Sequence, residues 1–508
     1  MQQHNYQNKD FKNGRSIKLL PILFVFVLLI VSFVVFYVGF DEELSPIKDY
    51  FLIPWTILTG AVISAPCIYL WYRGEFKLYN PIIFAACSYF IPAFFIGGLI
   101  LSNGWSEPFF LTFIQDPQND LPFTMIIVML GFSGLTAGYF LPLGKIAGDK
   151  IKNVLPKWDW NTENLFTSGF VLLVIGSVNT VIGYVSGVLG YQKLEEVGIF
   201  DGILFLMTLM WMEASFLLWL VLFRRNKFDY KAVLTGSVLV ITAFSKALYA
   251  GNRGGLLTIF IMIMLAFLLS GRKVTPKQTA IGISTLVLCL IVGMVYGTTF
   301  RNIKETETQI GMEQYTEHIF ATFDVIISGE NFNTLQQGFS NLAERLDAVS
   351  SLAVVTSNYE QLARYEEGYG LDNNIWKDTA TFFIPRVIWN DKPLASEPRK
   401  YSELYFNYGN NSFTITPMGD LLRNFGVYGV FLGMMLLGVF LRFLYNLLIV
   451  GGEFSYWKTT IYFMLLTAIS YESFYGAIMP YLSKVAVVSF IGLLVVNFII
   501  KKTEKSNY

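Results

Sequence analysis

The chain has 508 residues, 54% of them hydrophobic and 17% aromatic, with only 15% charged and a mean hydropathy of +0.50. That balance excludes an ordinary water-soluble domain and points to an all-α polytopic membrane protein. Lys plus Arg and Asp plus Glu stand at 37 each, so net charge gives no electrostatic reason for a nucleic-acid partner, and none is expected.

In chain order, twelve apolar runs are long enough, or nearly so, for a hydrocarbon core that needs about 20 helical residues. They fall at approximately 19–40, 51–72, 81–102, 122–144, 166–189, 202–223, 232–249, 254–270, 279–296, 424–449, 458–480 and 484–500. The first is too long for a signal-peptide core and no small-residue cleavage site follows it, so it is expected to remain as a span. Cys67, Cys87 and Cys289 all sit inside these runs, which argues for packing and against a disulfide framework or a cysteine metal site. The expected organisation is a tail at 1–18, nine spans over 19–296, a large loop at 297–423, three spans over 424–500 and a second tail at 501–508.

Short cytoplasmic loops retain Lys and Arg. Cations cluster before the first run (Lys9, Lys12, Arg15, Lys18) and in alternate connections: Arg73 and Lys77; Lys145, Lys150, Lys152 and Lys157; Arg224, Arg225, Lys227 and Lys231; Arg272, Lys273 and Lys277. The connections between them are acidic or nearly free of cations, as in Asp41-Glu42-Glu43. Both termini are therefore expected in the cytoplasm, with the 297–423 loop on the outer face and partly helical.

The same alternation puts Gly251-Asn-Arg-Gly-Gly255 at the outer mouth of a hairpin, with Lys246 about two helical turns below Arg253. Glycines near a helix start allow close backbone approach and suit an anion. Interfacial anchoring is the competing role for Arg253. In the loop, residues 344–355 have a helical apolar period at 346, 349, 352, 353 and 355, with Arg345 and Asp347 expected on neighbouring faces of that helix, and Arg386 and Lys392 lie in Phe382-Phe-Ile-Pro-Arg-Val-Ile-Trp-Asn-Asp-Lys-Pro393. Asp420 and Arg423 stand at the entrance of the tenth span. Such a mixture of guanidinium groups, carboxylates and aromatics suits a phosphate-bearing substrate with sugars. Glu472 is placed inside the eleventh helix, about 22 Å from its cytoplasmic end, where a carboxylate is by default functional; pairing with Lys246 or Lys484 is the alternative. There is no Walker A sequence and no Asp-x-Asp pair, and His4 and His318 form no zinc constellation, so no metal and no cofactor are expected.

Arg253-Gly-Gly, Arg345-Leu-Asp, Ile384-Pro-Arg-Val-Ile-Trp-Asn-Asp-Lys-Pro393 and Gly419-Asp-Leu-Leu-Arg-Asn-Phe-Gly-Val-Tyr-Gly429, with one large late external loop, resemble the Wzy-type polysaccharide (oligosaccharide repeat-unit or O-antigen) polymerases. The resemblance implies a GT-C-like fold of about 12 transmembrane helices in the bacterial inner membrane. It also implies a glycosyltransferase that joins polyprenyl-pyrophosphate-linked oligosaccharides into an O-antigen, capsule or exopolysaccharide at the outer face. Its partners would be those lipid-linked glycans, membrane lipids, and a flippase and chain-length regulator of the same pathway. Cations (Arg253, Lys246, Arg345, Arg386, Lys392, Arg423) would hold pyrophosphate and glycan, and a carboxylate would act as base, with Asp420 first and Asp347 and Glu472 after it. An O-antigen ligase is the nearest alternative, and a lipid-linked oligosaccharide flippase or transporter the alternative from another class.

Overall fold

A computed structural model describes residues 50–506 except 107, 190–199, 226–228, 252–253, 305–311, 329–342, 344, 385–387, 390–391, 393–395, 410–412 and 414. The first expected span, Arg253 and Arg386 lie outside the described residues. What is described is all-helical, with no strand. Among the described residues nine helices are long and apolar enough to cross a membrane, and Gly255–Leu269 is a shorter apolar helix. The chain is thus a polytopic membrane protein by helix length and composition.

The membrane-facing helices are α1 (Ile53–Tyr72), α2 (Pro81–Ser102), α3 (Pro117–Phe140), α5 (Thr162–Val185), α6 (Asp201–Arg224), α7 (Tyr230–Ala250), α8 (Gly255–Leu269) and α9 (Pro276–Lys304), with the amphipathic α4 (Pro142–Lys152) between α3 and α5. Their starts follow local chemistry: Asn80, Asp116, Asn161 and Asp229 accept a first-turn N–H at α2, α3, α5 and α7. Within α2, Ala86–Ile96 widens to a π-helix around Pro92, which has no N–H to give the ladder.

The 297–423 stretch is less of a loop than its polarity suggests. Helix α9 runs on to Lys304, and α10 (Met312–Ile327), α11 (Ala348–Glu366), α12 (Asn374–Thr381) and α13 (Pro398–Phe406) follow before α14 (Thr416–Leu448). Helix α11 is a core element: Val349, Leu352, Ala353, Val354 and Val355 are fully buried. It is stitched to the start of α3 by Thr124–Thr356 (2.6 Å), Ser357–Asp120 (2.6 Å) and Asn358 Nδ2 to the Phe113 carbonyl (2.8 Å).

Helix α14 begins eight residues earlier than the run expected at 424–449, and Gly426 kinks it with a backbone (φ 67, ψ −168) that disfavours a side chain. Below the kink it lies directly on α3. A Cβ on Gly138 would strike the Met435 carbonyl and one on Gly438 the Leu135 carbonyl, so the two backbones approach as only glycine permits.

The run expected as one helix at 458–480 is two. Helix α15 (Tyr456–Ala468) ends at the extended Ile469 (φ −75, ψ 111), and α16 (Tyr475–Ser506) starts after a non-helical stretch, so Glu472 stands in a break and not inside a helix. The reason is local: Ser470, Glu472 and Ser473 interrupt the apolar run, and the Ser470 hydroxyl accepts the Glu472 N–H (3.4 Å), a turn that competes with the helix ladder.

Candidate functional site

Thr416-Pro417 starts α14, and the helical spacing of three sets Asp420 and Arg423 on one inward face. Asp420 is fully buried. Its Oδ1 accepts from Arg423 Nη2 (3.0 Å) and Asn424 Nδ2 (3.2 Å), and its Oδ2 from Asn374 Nδ2 (3.3 Å) and the Gly476 N–H (3.1 Å). The last contact puts a carboxylate on the first turn of α16, where a negative group meets unpaired N–H donors and the positive end of the helix dipole.

Arg423 spends both terminal nitrogens in the same knot, while its buried Nε has no partner among the described residues. Nη1 pairs with Glu366 Oε1 (3.0 Å) and donates to the Leu371 carbonyl (3.2 Å), and Nη2 donates to Asn374 Oδ1 (2.8 Å). The Tyr405 hydroxyl donates to Glu366 (2.8 Å). Asn374 also reaches Ser396 (3.3 Å), whose hydroxyl and N–H both donate to Asp378. Helices α11, α12, α13, α14 and α16 are thereby tied at one point. Burial pushes the Glu366 carboxyl above its ordinary range, with Arg423 and Tyr405 pulling it back. Burial raises Asp378 likewise against its bonds from Ser396.

With Asp420 enclosed and both oxygens engaged, its geometry suits positioning better than proton exchange with a substrate. The Glu472 carboxylate, by contrast, is exposed. Two aromatic contacts fasten its break to other elements. Tyr471 stacks on Tyr89 of the π-helical stretch (5.9 Å), and Phe474 meets Tyr401 of α13 edge-on (5.5 Å). The buried hydroxyls of Tyr89 and Tyr401 have no hydrogen-bond partner among the described residues. Tyr89 lies in the electrostatic field of Glu472, and Tyr401 in that of Arg423, Asp420 and Glu366.

The other candidates lie apart from this knot. Asp347 is the N-cap of α11, buried, accepting the Ser350 N–H (3.0 Å) and hydroxyl (2.5 Å). Burial raises its pKa against those bonds. Arg345, expected on the same helix, precedes the cap and is exposed. The Lys246 ammonium sits 4.3 Å from the Trp211 ring centroid, a cation–π contact between α7 and α6. Lys392 donates to the carbonyls of Thr381 (2.8 Å) and Ile384 (3.0 Å), closing the end of α12. Among the described residues no three His, Cys, Asp or Glu side chains converge as metal ligands.

Sequence reading missed Glu366, Asn374, Asp378, Ser396, Tyr89, Tyr401 and Tyr405, which acquire meaning only through contacts distant in sequence. Glu213 was missed too, although a lone carboxyl within the 202–223 run is a signal in itself. It is fully buried in α6, neither oxygen has a partner among the described residues, and Gly492 of α16 leaves the space its Oε2 occupies.

No curated protein and no solved structure matches this chain. A family model does match, over residues 177–505, a stretch that holds Glu213, the whole Asp420–Arg423 knot and the Glu472 break, and the chain belongs to that family, described as Domain of unknown function (DUF8712).

Proposed function

We propose that this protein is a GT-C-like glycosyltransferase that polymerises polyprenyl-pyrophosphate-linked oligosaccharide repeat units at the outer face of the bacterial cytoplasmic membrane. Supporting it most is the buried knot that fastens the 348–406 helices over α14 and α16 beside an exposed carboxylate in a helix break. Non-helical backbone at membrane depth is tolerated where it lines a cavity or is held by protein, and Glu472 is displayed there.

In the reaction, a sugar hydroxyl of the incoming unit attacks the anomeric carbon of the donor glycan. Its proton passes to Glu472, the bond from that carbon to the pyrophosphate oxygen breaks, and the lipid pyrophosphate leaves with the electron pair. Arg253, Arg345 and Arg386 are the cations assigned to the leaving charge. Asp420 and Arg423 hold the break and the 348–406 helices, the cap of this site, in register, a positioning role. The donor's own phosphoester bond supplies the driving force.

A second reading has its own observations: the discontinuous α15–α16 and the enclosed Glu213 are features that secondary transporters use for substrate and ion sites. One experiment separates the two. Purified protein in sealed vesicles is given a synthetic lipid-linked repeat unit without nucleotide. A ladder of chain lengths supports the polymerase; unaltered substrate moved between leaflets refutes it in favour of the transporter.

A further inference from the structure

Helix α12 has two unlike faces. Asn374, Ile375 and Asp378 are buried in the knot, while Trp376 is 63% exposed. Phe383, just beyond the helix, is 66% exposed. Trp376 does not stand alone: its ring meets Phe425 of α14 at 6.1 Å and 76°. From there an exposed apolar stripe continues down the membrane-crossing part of α14 through Tyr428 (86% exposed), Leu432 and Leu436, spaced four residues apart. A stripe with that period on a helix long and apolar enough to span is the face that lipid covers.

We infer that Trp376 and Phe383, with Phe425 and Tyr428, form a membrane-anchoring surface whose partner is the lipid at the outer interface of the bilayer. The polar tips of Trp376 and Tyr428 favour the headgroup level, the Phe383 and Phe425 rings the apolar side of it, and a patch of this kind in water is costly. The polar boundary is drawn beside it, since Lys377 pairs with Asp372 at 2.7 Å next to Trp376. Continuity with the lipid face of α14 favours lipid over a second copy of the chain. The consequence is mechanical: Asn374, two residues from Trp376, bonds to both Asp420 and Arg423, so membrane depth at Trp376 sets the seat of the cap on the spans.

The test uses nitroxide labels in vesicles, in full-length chain with Cys67, Cys87 and Cys289 replaced by alanine. Labels are carried by Trp376→Cys and Phe383→Cys, with Glu367→Cys as the water-facing reference and Leu432→Cys as the lipid-facing one. The expected result is access to a water-soluble nickel chelate several-fold lower at 376 and 383 than at 367, with oxygen access near that of 432. Equal nickel access at 376, 383 and 367 overturns the inference, as does spin–spin broadening at 376 that marks a second copy on this face. A measurement that keeps both aromatics guards against local disruption. The tryptophan emission missing from Trp376→Phe should be quenched in the parent by lipids brominated near the headgroup, and unquenched emission refutes the inference.

Discussion

Arg423 is the residue whose loss the structure should tolerate least. Its side chain is wholly enclosed and sits 3.0 Å from each of two carboxylates, Asp420 and Glu366. Arg423→Met keeps much of the volume and leaves both acids buried without their cation. Breaking a buried pair costs about 3–5 kcal/mol; the Leu371 carbonyl and Asn374 each lose a donor, at about 1 kcal/mol apiece. The sum, roughly 5–7 kcal/mol, is comparable with the whole stability of many domains. Thermal unfolding in detergent should therefore show a large fall in midpoint, and the 348–406 helices should become sensitive to protease. The deficit should also depend on pH. Glu366 already has its pKa raised by burial, and Arg423 is the strongest influence opposing that rise. A carboxyl with a raised folded pKa contributes stability that is present below its unfolded value and lost as pH rises through the folded one. Arg423→Met should therefore lose less against the parent at about pH 5 than at about pH 8, and Glu366→Gln in that background should restore part of the loss. A deficit that ignores pH, together with no recovery from Glu366→Gln, would refute the ion-pair account.

Asp347→Ala should cost about 1–2 kcal/mol through loss of the α11 cap, read as a lower thermal midpoint, and Asp347→Asn should retain most of it. Because burial raises Asp347, its contribution to folding declines as pH rises through its folded pKa, so Asp347→Asn should gain on the parent toward alkaline pH in the same melts. Glu213→Gln should melt at or above the parent temperature, whereas Gly492→Leu should melt well below it; a destabilised Glu213→Gln would mean that the carboxyl has a partner it needs. On the polymerase reading, Arg253→Ala should lower turnover at least about tenfold with Arg253→Lys recovering part, since one charge-assisted contact is worth about 1.5–3 kcal/mol. Glu472→Gln should abolish chain growth at an unchanged melting temperature; a normal ladder from folded Glu472→Gln would remove it as the base.

Much of the architecture was legible because it follows from runs of apolar residues with helical length. Cap residues such as Asp116, Asn161 and Asp229 mark helix starts by their own chemistry. The break at 469–474 carried a signal too, in Ser470-Tyr-Glu-Ser473, but a hydropathy window averages three polar residues into the apolar run around them. Asp420 and Arg423 were visible as a spaced pair; what they touch was not. Glu366, Asn374 and Gly476 lie 54, 46 and 56 residues away from Asp420 in sequence, and no local period joins them. The 297–423 stretch was expected to be partly helical, but its polarity hid how one helix is used: α11 packs its apolar face against α3 and spends its polar residues on contacts there, so composition alone does not show it to be a core helix.

The helix break explains why a carboxylate belongs at position 420. Ending α15 and starting α16 within one apolar stretch frees backbone groups, each costly if buried alone. Two of them are answered by side chains: the Ser470 hydroxyl takes the Glu472 N–H, and Asp420 takes the Gly476 N–H. A neutral side chain could accept one such bond, but Asp420 must also answer Arg423, and Arg423 must answer Glu366 from the cap. The charge at 420 thus joins two needs, the start of α16 and the hold on the 348–406 helices. That is why the carboxylate which sequence position made the first choice for a base sits enclosed, while the exposed carboxylate of Glu472 stands in the break beside it.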